Sequence, residues 1–325
     1  MLIPKIITIG SLSLFILIGV VAFLKRGTQK QVTLDPSLQT HEECSYEECQ
    51  SVEVESSVDK YLQPIQDDIA QEETDQVWRL FTTDKQKLSF VETICYKSFV
   101  PWLKGRPAWI VDYASYYSTS RHFIARSLNK KKDYYTQKVS YGDHFNVLKK
   151  DVSFYLFIDL SRCKMWFYAH DLKNNNSILL KTYKVGVGRF DSNSHSGVLT
   201  PKGKFTLGNK VAIYKPGVKG YFQGSEVELV RVFGTRWLPF ARELNGEEDS
   251  PKGYGLHGAP WIYDDQSQSY HEDLTTIEKY DSDGCIRLAQ DDIEELFSIV
   301  ITKPTIVEIM TDFHHAKIPG KLIQE

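Results

Sequence analysis

The reading of this chain turns on residues 254–288, YGLHGAPWIYDDQSQSYHEDLTTIEKYDSDGCIRL. Two short motifs bound it: Gly-Leu-His-Gly at 255–258 and Ser-Asp-Gly-Cys-Ile-Arg-Leu at 282–288. A thiol becomes a strong nucleophile when a base takes its proton, and His257 is the base this stretch offers to Cys285. Gly284 precedes the thiol, which lets the backbone approach a substrate closely and leaves the Cys285 amide free for a developing oxyanion. Arg287 adds a permanent cation whose fork of donors suits a carboxylate. Taken singly, a cysteine is usually a small buried hydrophobe. Thiol, base and anion clamp within one stretch point instead to nucleophilic catalysis. Around them, Ser282 reads as a turn-shaping hydroxyl, the Gly258 carbonyl as a candidate to orient the His257 ring, and Tyr254, Arg236 and Trp237 as candidates to line a cleft.

Downstream of the motif, Gln290 to Ile301 places Ile293, Leu296, Phe297 and Val300 on one face, with acidic residues suited to the first turns of a helix. Pro304 ends it, and Thr305 to Met310 reads as a closing strand. Upstream, apolar runs at Phe154–Leu160, Met165–Tyr168 and Ser177–Gly186 alternate with turn signals at Ser161–Lys164 and Lys173–Asn176. Lys204–Tyr214 and Glu226–Phe233 continue the pattern, so the expected core is mostly β, a sandwich or barrel with one helix after Cys285. Lys202 and Lys204 read as positions on a solvated hairpin, and Cys163 as structural.

Before that core, aromatics from Trp78 to Phe123 at loosely helical spacing predict a small helical or α+β layer. Tyr134 to Leu148 predicts a strand pair leading into the main domain. Gln31 to Asp75 is polar and strongly acidic, the composition of a solvated stalk. Ile6 to Leu24 is a 19-residue run without a charge, flanked by Lys5 and Lys25-Arg26. That length suffices to cross a bilayer, and no small-x-small cleavage site follows it, so an uncleaved membrane anchor is expected. The boundaries that follow are an anchor at 1–30, an acidic linker at 31–76, an accessory subdomain at 77–150, a catalytic domain at 151–312 and a tail at 313–325.

A net charge of −3 gives no electrostatic footprint for nucleic acid. Of five cysteines, Cys44, Cys49, Cys95 and Cys163 remain if Cys285 is a free nucleophile, a set compatible with disulfides without requiring them. Cys44 and Cys49 lack a second ligand pair nearby, and His271 lacks a third firm ligand with His257 and Cys285, so no metal is expected.

These motifs resemble the L,D-transpeptidase catalytic domain of bacterial cell-wall enzymes, the YkuD-like family. The family's His-Gly, followed by Ser/Thr-x-Gly-Cys-hydrophobic-Arg/Asn, corresponds to His257-Gly258 and Ser282–Arg287. Val185-Gly186-Val187-Gly188 and Thr200-Pro201-Lys202-Gly203-Lys204-Phe205 look like its glycine-containing strand end and its Thr-Pro-x-Gly-x-Phe segment. The likeness spans residues 152–312. It implies Cys285 as nucleophile, His257 as its base, Arg287 as a contact for a peptide carboxylate or part of the scaffold, and no cofactor. The implied partners are peptidoglycan stem peptides and the inner membrane, with the catalytic domain in the periplasm. The implied reaction is acyl transfer through a Cys thioester to an amine, giving a 3→3 crosslink. An L,D-carboxypeptidase, an amidase on the same stems and a catalytically silent wall-binding scaffold are the alternatives.

Two features differ from the family pattern. Asp283 stands where a histidine is common, so a carboxylate adjoins the thiol and disfavours its ionised form unless it turns to a cation such as Arg287 or Arg236. His257 and Cys285 are also 28 positions apart, a longer gap than usual. The insertion Trp261–Tyr280, rich in Asp, Ser and Tyr, reads as a lid or a substrate-facing loop.

Overall fold

The computed structural model describes residues 73–129, 138–194, 196–244 and 252–320 of the protein. In chain order the accessory region contains α1 (Trp78–Phe81), β1 (Val91–Cys95), α2 (Ile110–Tyr116), α3 (Arg121–Asn129) and β2 (His144–Leu148). The main region follows with β3 (Val152–Asp159), β4 (Lys164–Asp171), β5 (Asn176–Lys184), β6 (Val187–Gly188), β7 (Gly203–Leu207), β8 (Ala212–Ile213), β9 (Lys219–Phe222) and β10 (Ser225–Glu228). It is completed by α4 (Val230–Phe233), β11 (Arg236–Glu243), β12 (Gly255–Gly258), β13 (Trp261–Asp264), β14 (Ser269–Glu272), β15 (Tyr280–Ser282), β16 (Ile286–Leu288), α5 (Gln290–Val300) and β17 (Thr305–Met310).

β3 and β4 read as continuous apolar runs because both of their faces are covered. Phe154, Leu156, Ile158, Met165, Phe167 and Ala169 enter the main core. The alternate residues Phe157, Trp166 and Tyr168 enter a second cluster with Phe313, whose ring stacks on Trp166 with centroids 4.1 Å apart. Alternation sends each residue to one face or the other, so burial of both faces demands apolar side chains at every position. Phe313 is thereby packed on the main sheet although it begins the segment read as a tail.

The core is mostly β, as expected, and its main sheet is one curled nine-stranded sheet, a half-barrel rather than a closed barrel or a sandwich, ordered β16-β12-β11-β7-β17-β3-β4-β5 with β8 on β11. β17 runs parallel to β3 and antiparallel to β7, closing the sheet centre. Helix α5 buries Ile293, Leu296, Phe297 and Val300, the face its periodicity predicts, and Asp291 and Asp292 sit in its first turn where the helix dipole favours them. Two expectations are corrected, one of a strand and one of a loop. Glu226–Phe233 splits into β10 and the short helix α4: Leu229 N–H still bonds Val218 O at 2.9 Å, but Leu229 takes a helical backbone and Val230 is buried as the helix begins. The Trp261–Tyr280 insertion is no structureless loop: β13 and β14 pair antiparallel across Trp261↔Glu272 to Asp264↔Ser269, and a 3-10 turn follows at Leu274–Thr276.

The accessory region is an α+β layer, with β1 paired to β2 from Val91↔Leu148 to Cys95↔His144. It has its own small core around Tyr96, Ile110, Tyr113, Ile124 and Phe145, and it lends Leu80, Phe90, Phe123 and Leu148 to the main one. Asn146, fully buried, ties its elements together. Its Nδ2 donates to Leu80 O (3.0 Å) and Thr82 O (2.6 Å), while its Oδ1 accepts from Thr93 Oγ1 (2.8 Å). Asn146→Leu should therefore destabilise the protein by about 2–4 kcal/mol, because two buried carbonyls and a hydroxyl lose their partner. Urea unfolding at constant m-value measures the loss.

The last residues of the acidic segment are docked. Gln76 N–H donates to Leu180 O (2.7 Å), Thr182 N–H to Thr74 O (3.1 Å), and Lys181 pairs with Asp75, Asp292 and Glu295. This covers the outer edge of β5, where an open ladder would invite pairing with another chain. Residues 6–24, Cys44, Cys49 and most of the acidic segment lie outside the described residues. Among the described residues no helix is long and apolar enough to cross a membrane, and Cys95, Cys163 and Cys285 form no disulfide.

Candidate active site

β12 and β16 form a parallel pair at one end of the sheet, with Leu256↔Ile286, His257↔Arg287 and Gly258↔Leu288 in register. Parallel neighbours need a crossover of a dozen or more residues, which the spacing between the two motifs more than supplies. The β13–β14 hairpin, the 3-10 turn and β15 make that crossover. Cys285 leads into β16 two residues before Arg287, so it shares a face with Arg287 and with His257 opposite. His257 and Cys285 are thus diagonal neighbours across the parallel pair.

The turn that presents the sulfur is built by Ser282. Its buried hydroxyl donates to Cys285 O (2.7 Å) and accepts from Gly284 N–H (3.1 Å). Gly284 has φ +109°, and a Cβ there would lie 2.4 Å from the Tyr254 ring and 2.7 Å from Leu199 O. Tyr254 thus acts as a wall behind the turn. Gly284→Ala should cost about 2–4 kcal/mol, combining a left-handed backbone with a clash against a main-chain oxygen, and should slow thiol chemistry as the turn shifts. Thermal unfolding with a parallel thiol-labelling rate measures both.

The glycine-containing stretch at 185–188 holds this turn in place. Gly186 exchanges both backbone hydrogen bonds with Arg287 at 2.9 Å, Gly188 pairs with Ser282, and Arg189 N–H donates to Ser282 O (2.9 Å). A Cβ on Gly188 would lie 2.5 Å from Thr200 N, and Gly188 N–H donates to the buried Thr200 Oγ1 at 2.7 Å. The Thr-Pro-x-Gly segment therefore supports the nucleophile turn from behind.

His257 is 4% exposed, with the Phe233 ring edge-on at 5.5 Å and Trp237 at 6.0 Å. Its Nδ1 lies 2.7 Å from Gly258 O. A carbonyl only accepts, so Nδ1 carries the proton, and the neutral ring leaves Nε2 as a base. Burial lowers the imidazole pKa to about 4, the Gly258 carbonyl opposes this, and the Arg287 charge adds to it. Cys285 is half-buried, its sulfur 3.8 Å from Gly253 O. Burial pushes its thiol up to about 11, against a hydrogen bond from the Gly255 amide and the charge of Arg287, with Asp283 raising it further. At neutral pH the pair rests as thiol and imidazole, not as an ion pair. The arrangement suits deprotonation of the thiol at the moment of attack.

Of the two roles open to Arg287, the structure has the ion pair with Asp281, and the side chain is 16% exposed. Asp283 turns neither to Arg287 nor to Arg236, but to Arg189 and to Gln223 Nε2 (3.3 Å) at the tip of the β9–β10 hairpin. Arg236 lies inside instead of lining the cleft, over the Phe297 ring and 3.6 Å from Glu294, because the carboxylate of a buried glutamate needs a cation. Trp237 packs on His257. Lys204 pairs with Glu308 across β7 and β17 at 3.3 Å, and His271 is exposed on β14. Sequence reasoning misses Gly255. Its Cβ would meet Leu238 O at 2.5 Å, and its amide reaches the sulfur.

Residues 153–309 match the family model of the YkuD L,D-transpeptidase catalytic domain. A search of curated proteins returns no match. Among solved structures, Bd1075 of Bdellovibrio bacteriovorus is similar at 16% identity, covering 49% of this chain and 48% of that one, with a TM-score of 0.32. The helical cell shape determining protein Pgp2 from Campylobacter jejuni gives 18% identity, 53% and 51% coverage and a TM-score of 0.32. L,D-transpeptidase 1 of Mycobacterium tuberculosis gives 14% identity, 51% and 70% coverage and a TM-score of 0.26. The chain thus spans about half the length of the first two.

Proposed function

We propose that the protein, whose residues 153–309 match the YkuD L,D-transpeptidase catalytic domain, transfers peptidoglycan stem peptides through a thioester on Cys285. The observation that carries the reading is the neutral His257, with Nδ1 engaged by Gly258 O and Nε2 left as the base, on the sheet face it shares with Cys285. The sulfur attacks the carbonyl of the L,D peptide bond of a tetrapeptide stem as its proton passes to Nε2. The Cys285 amide, freed by the turn at Gly284, receives the oxyanion. Collapse breaks the C–N bond, the imidazolium returns the proton to the leaving amine, and D-alanine departs. An acceptor amine then attacks the thioester, its proton goes to His257, and the sulfur is released. A second stem as acceptor gives a 3→3 crosslink, and water gives a tripeptide.

The 19-residue uncharged run at 6–24 and the location of this substrate support an inner-membrane anchor with the catalytic domain on the wall side. Incubating the full chain with tetrapeptide muropeptides tests the reaction. D-alanine release together with crosslinked dimers is the expected outcome. Tripeptides alone would assign a carboxypeptidase, and unchanged muropeptides would leave a wall-binding scaffold.

A further inference from the structure

We propose that Arg189, oriented by Asp283, reads the terminal carboxylate of the donor peptide, an inference that rests on the acyl-transfer reading of the Cys285 site. In that reaction the donor ends in a carboxylate on the residue that leaves, one residue beyond the scissile carbonyl. One residue spans about 3.3–3.6 Å, so a group reading that charge must stand beside the nucleophile turn and face solvent. Arg287 does not meet the second condition: its side chain is mostly covered and bound to Asp281.

Arg189 meets both. Its amide donates to Ser282 O (2.9 Å), three residues before the sulfur, and its carbonyl accepts from Leu199 N–H (2.9 Å), so its backbone is fixed to the turn. Its side chain is 59% exposed. Nη1 of the guanidinium is bonded to Asp283 Oδ1, and the other oxygen of Asp283 accepts from Gln223 Nε2 at 3.3 Å. The carboxylate is therefore held from two sides and fixes one corner of the guanidinium. Among the described residues Arg189 makes no second ion pair, which leaves the rest of its donor fork for a ligand. Gln223 is itself well placed, because Gln223 and Gly224 have φ of 48° and 79°, the backbone of a tight two-residue hairpin turn. The carboxylate that replaces the family's common histidine thus has a function of its own, since Asp283 positions a cation in place of supplying a ring.

The test uses the full chain carrying Cys285→Ala, so that the donor binds without reacting, and two tetrapeptide stems, one ending in free D-alanine and one in D-alaninamide. Calorimetric titration should show the acid bound about 10- to 100-fold more tightly than the amide, the range of one charge-assisted contact. Adding Arg189→Ala should erase that preference by weakening the acid alone, and Arg189→Lys should restore part of it. A preference that survives Arg189→Ala, an equal loss for both stems, or no measurable binding of the acid overturns the assignment. Wild-type chain that forms an acyl-enzyme without an Arg189-dependent preference overturns this inference alone. An Arg189-dependent preference without any acyl-enzyme overturns the acyl-transfer reading and leaves the carboxylate contact standing.

Discussion

Cys285→Ala should lower acylation by tetrapeptide stems by at least about 10⁴-fold, because removing the nucleophile leaves only binding and oxyanion contacts to act. The fold should be unaffected. The sulfur is half-buried and its contacts are weak, a 3.8 Å approach to Gly253 O and the Gly255 amide, so its removal should change stability by about 1 kcal/mol or less. Cys285→Ser separates nucleophilicity from shape. A hydroxyl occupies the same turn, still donates to a backbone carbonyl, and should remain nearly inactive, because an imidazole whose pKa is about 4 is too weak a base for an alcohol. Single-turnover release of D-alanine, followed beside thermal unfolding, distinguishes lost chemistry from lost structure.

The second large effect belongs to His257. His257→Gln should reduce acylation by about 10²- to 10⁴-fold, the usual contribution of a positioned general base. The pH dependence has a defined sign. The folded-state pKa is lowered to about 4 from 6.5 by burial, so the basic form persists through mildly acidic pH. Activity should fall on the acid side near pH 4, not near 6.5. Stability moves the same way. Between pH 6.5 and 4 the unfolded chain takes up a proton that the folded ring refuses, so the contribution is complete above 6.5 and is lost as pH falls. The loss from this residue is about 3 kcal/mol over that window. Urea unfolding at pH 7 and pH 4.5 should show a smaller pH dependence for His257→Gln than for the wild type.

The β core is legible in the sequence wherever burial dictates residue type on its own. β3 and β4 are covered on both faces, which leaves uninterrupted apolar runs, and α5 shows a stripe at Ile293, Leu296, Phe297 and Val300 after an acidic first turn, although Glu294 and Ser298 are buried as well. Elements held by pairing leave weaker traces. β1 reads Val-Glu-Thr-Ile-Cys, and its partner β2 begins only at His144, so nothing nearby marks it as a strand. The β13–β14 hairpin is mostly exposed and turns through Asp265-Gln-Ser-Gln268, a sequence indistinguishable from loop. At the site, residue types announce Cys285 and His257, yet what sets them on one face is the register of a parallel pair, which no local pattern encodes. The charge logic around Asp283 is half legible. A carboxylate beside a thiol needs a cation, and nearness in sequence points to Arg287 and Arg236, whereas β6 and β15 bring up Arg189 from 94 positions away.

The most direct test of the account is to quench the wild-type chain early in its reaction with a tetrapeptide stem and map the trapped acyl group by peptide mass spectrometry. The account predicts a tripeptidyl thioester on the peptide containing Cys285, formed with one D-alanine released per chain and absent from His257→Gln on the same timescale. D-alanine release with no adduct at Cys285, or an acyl group carried by Ser282 or another residue, would contradict it.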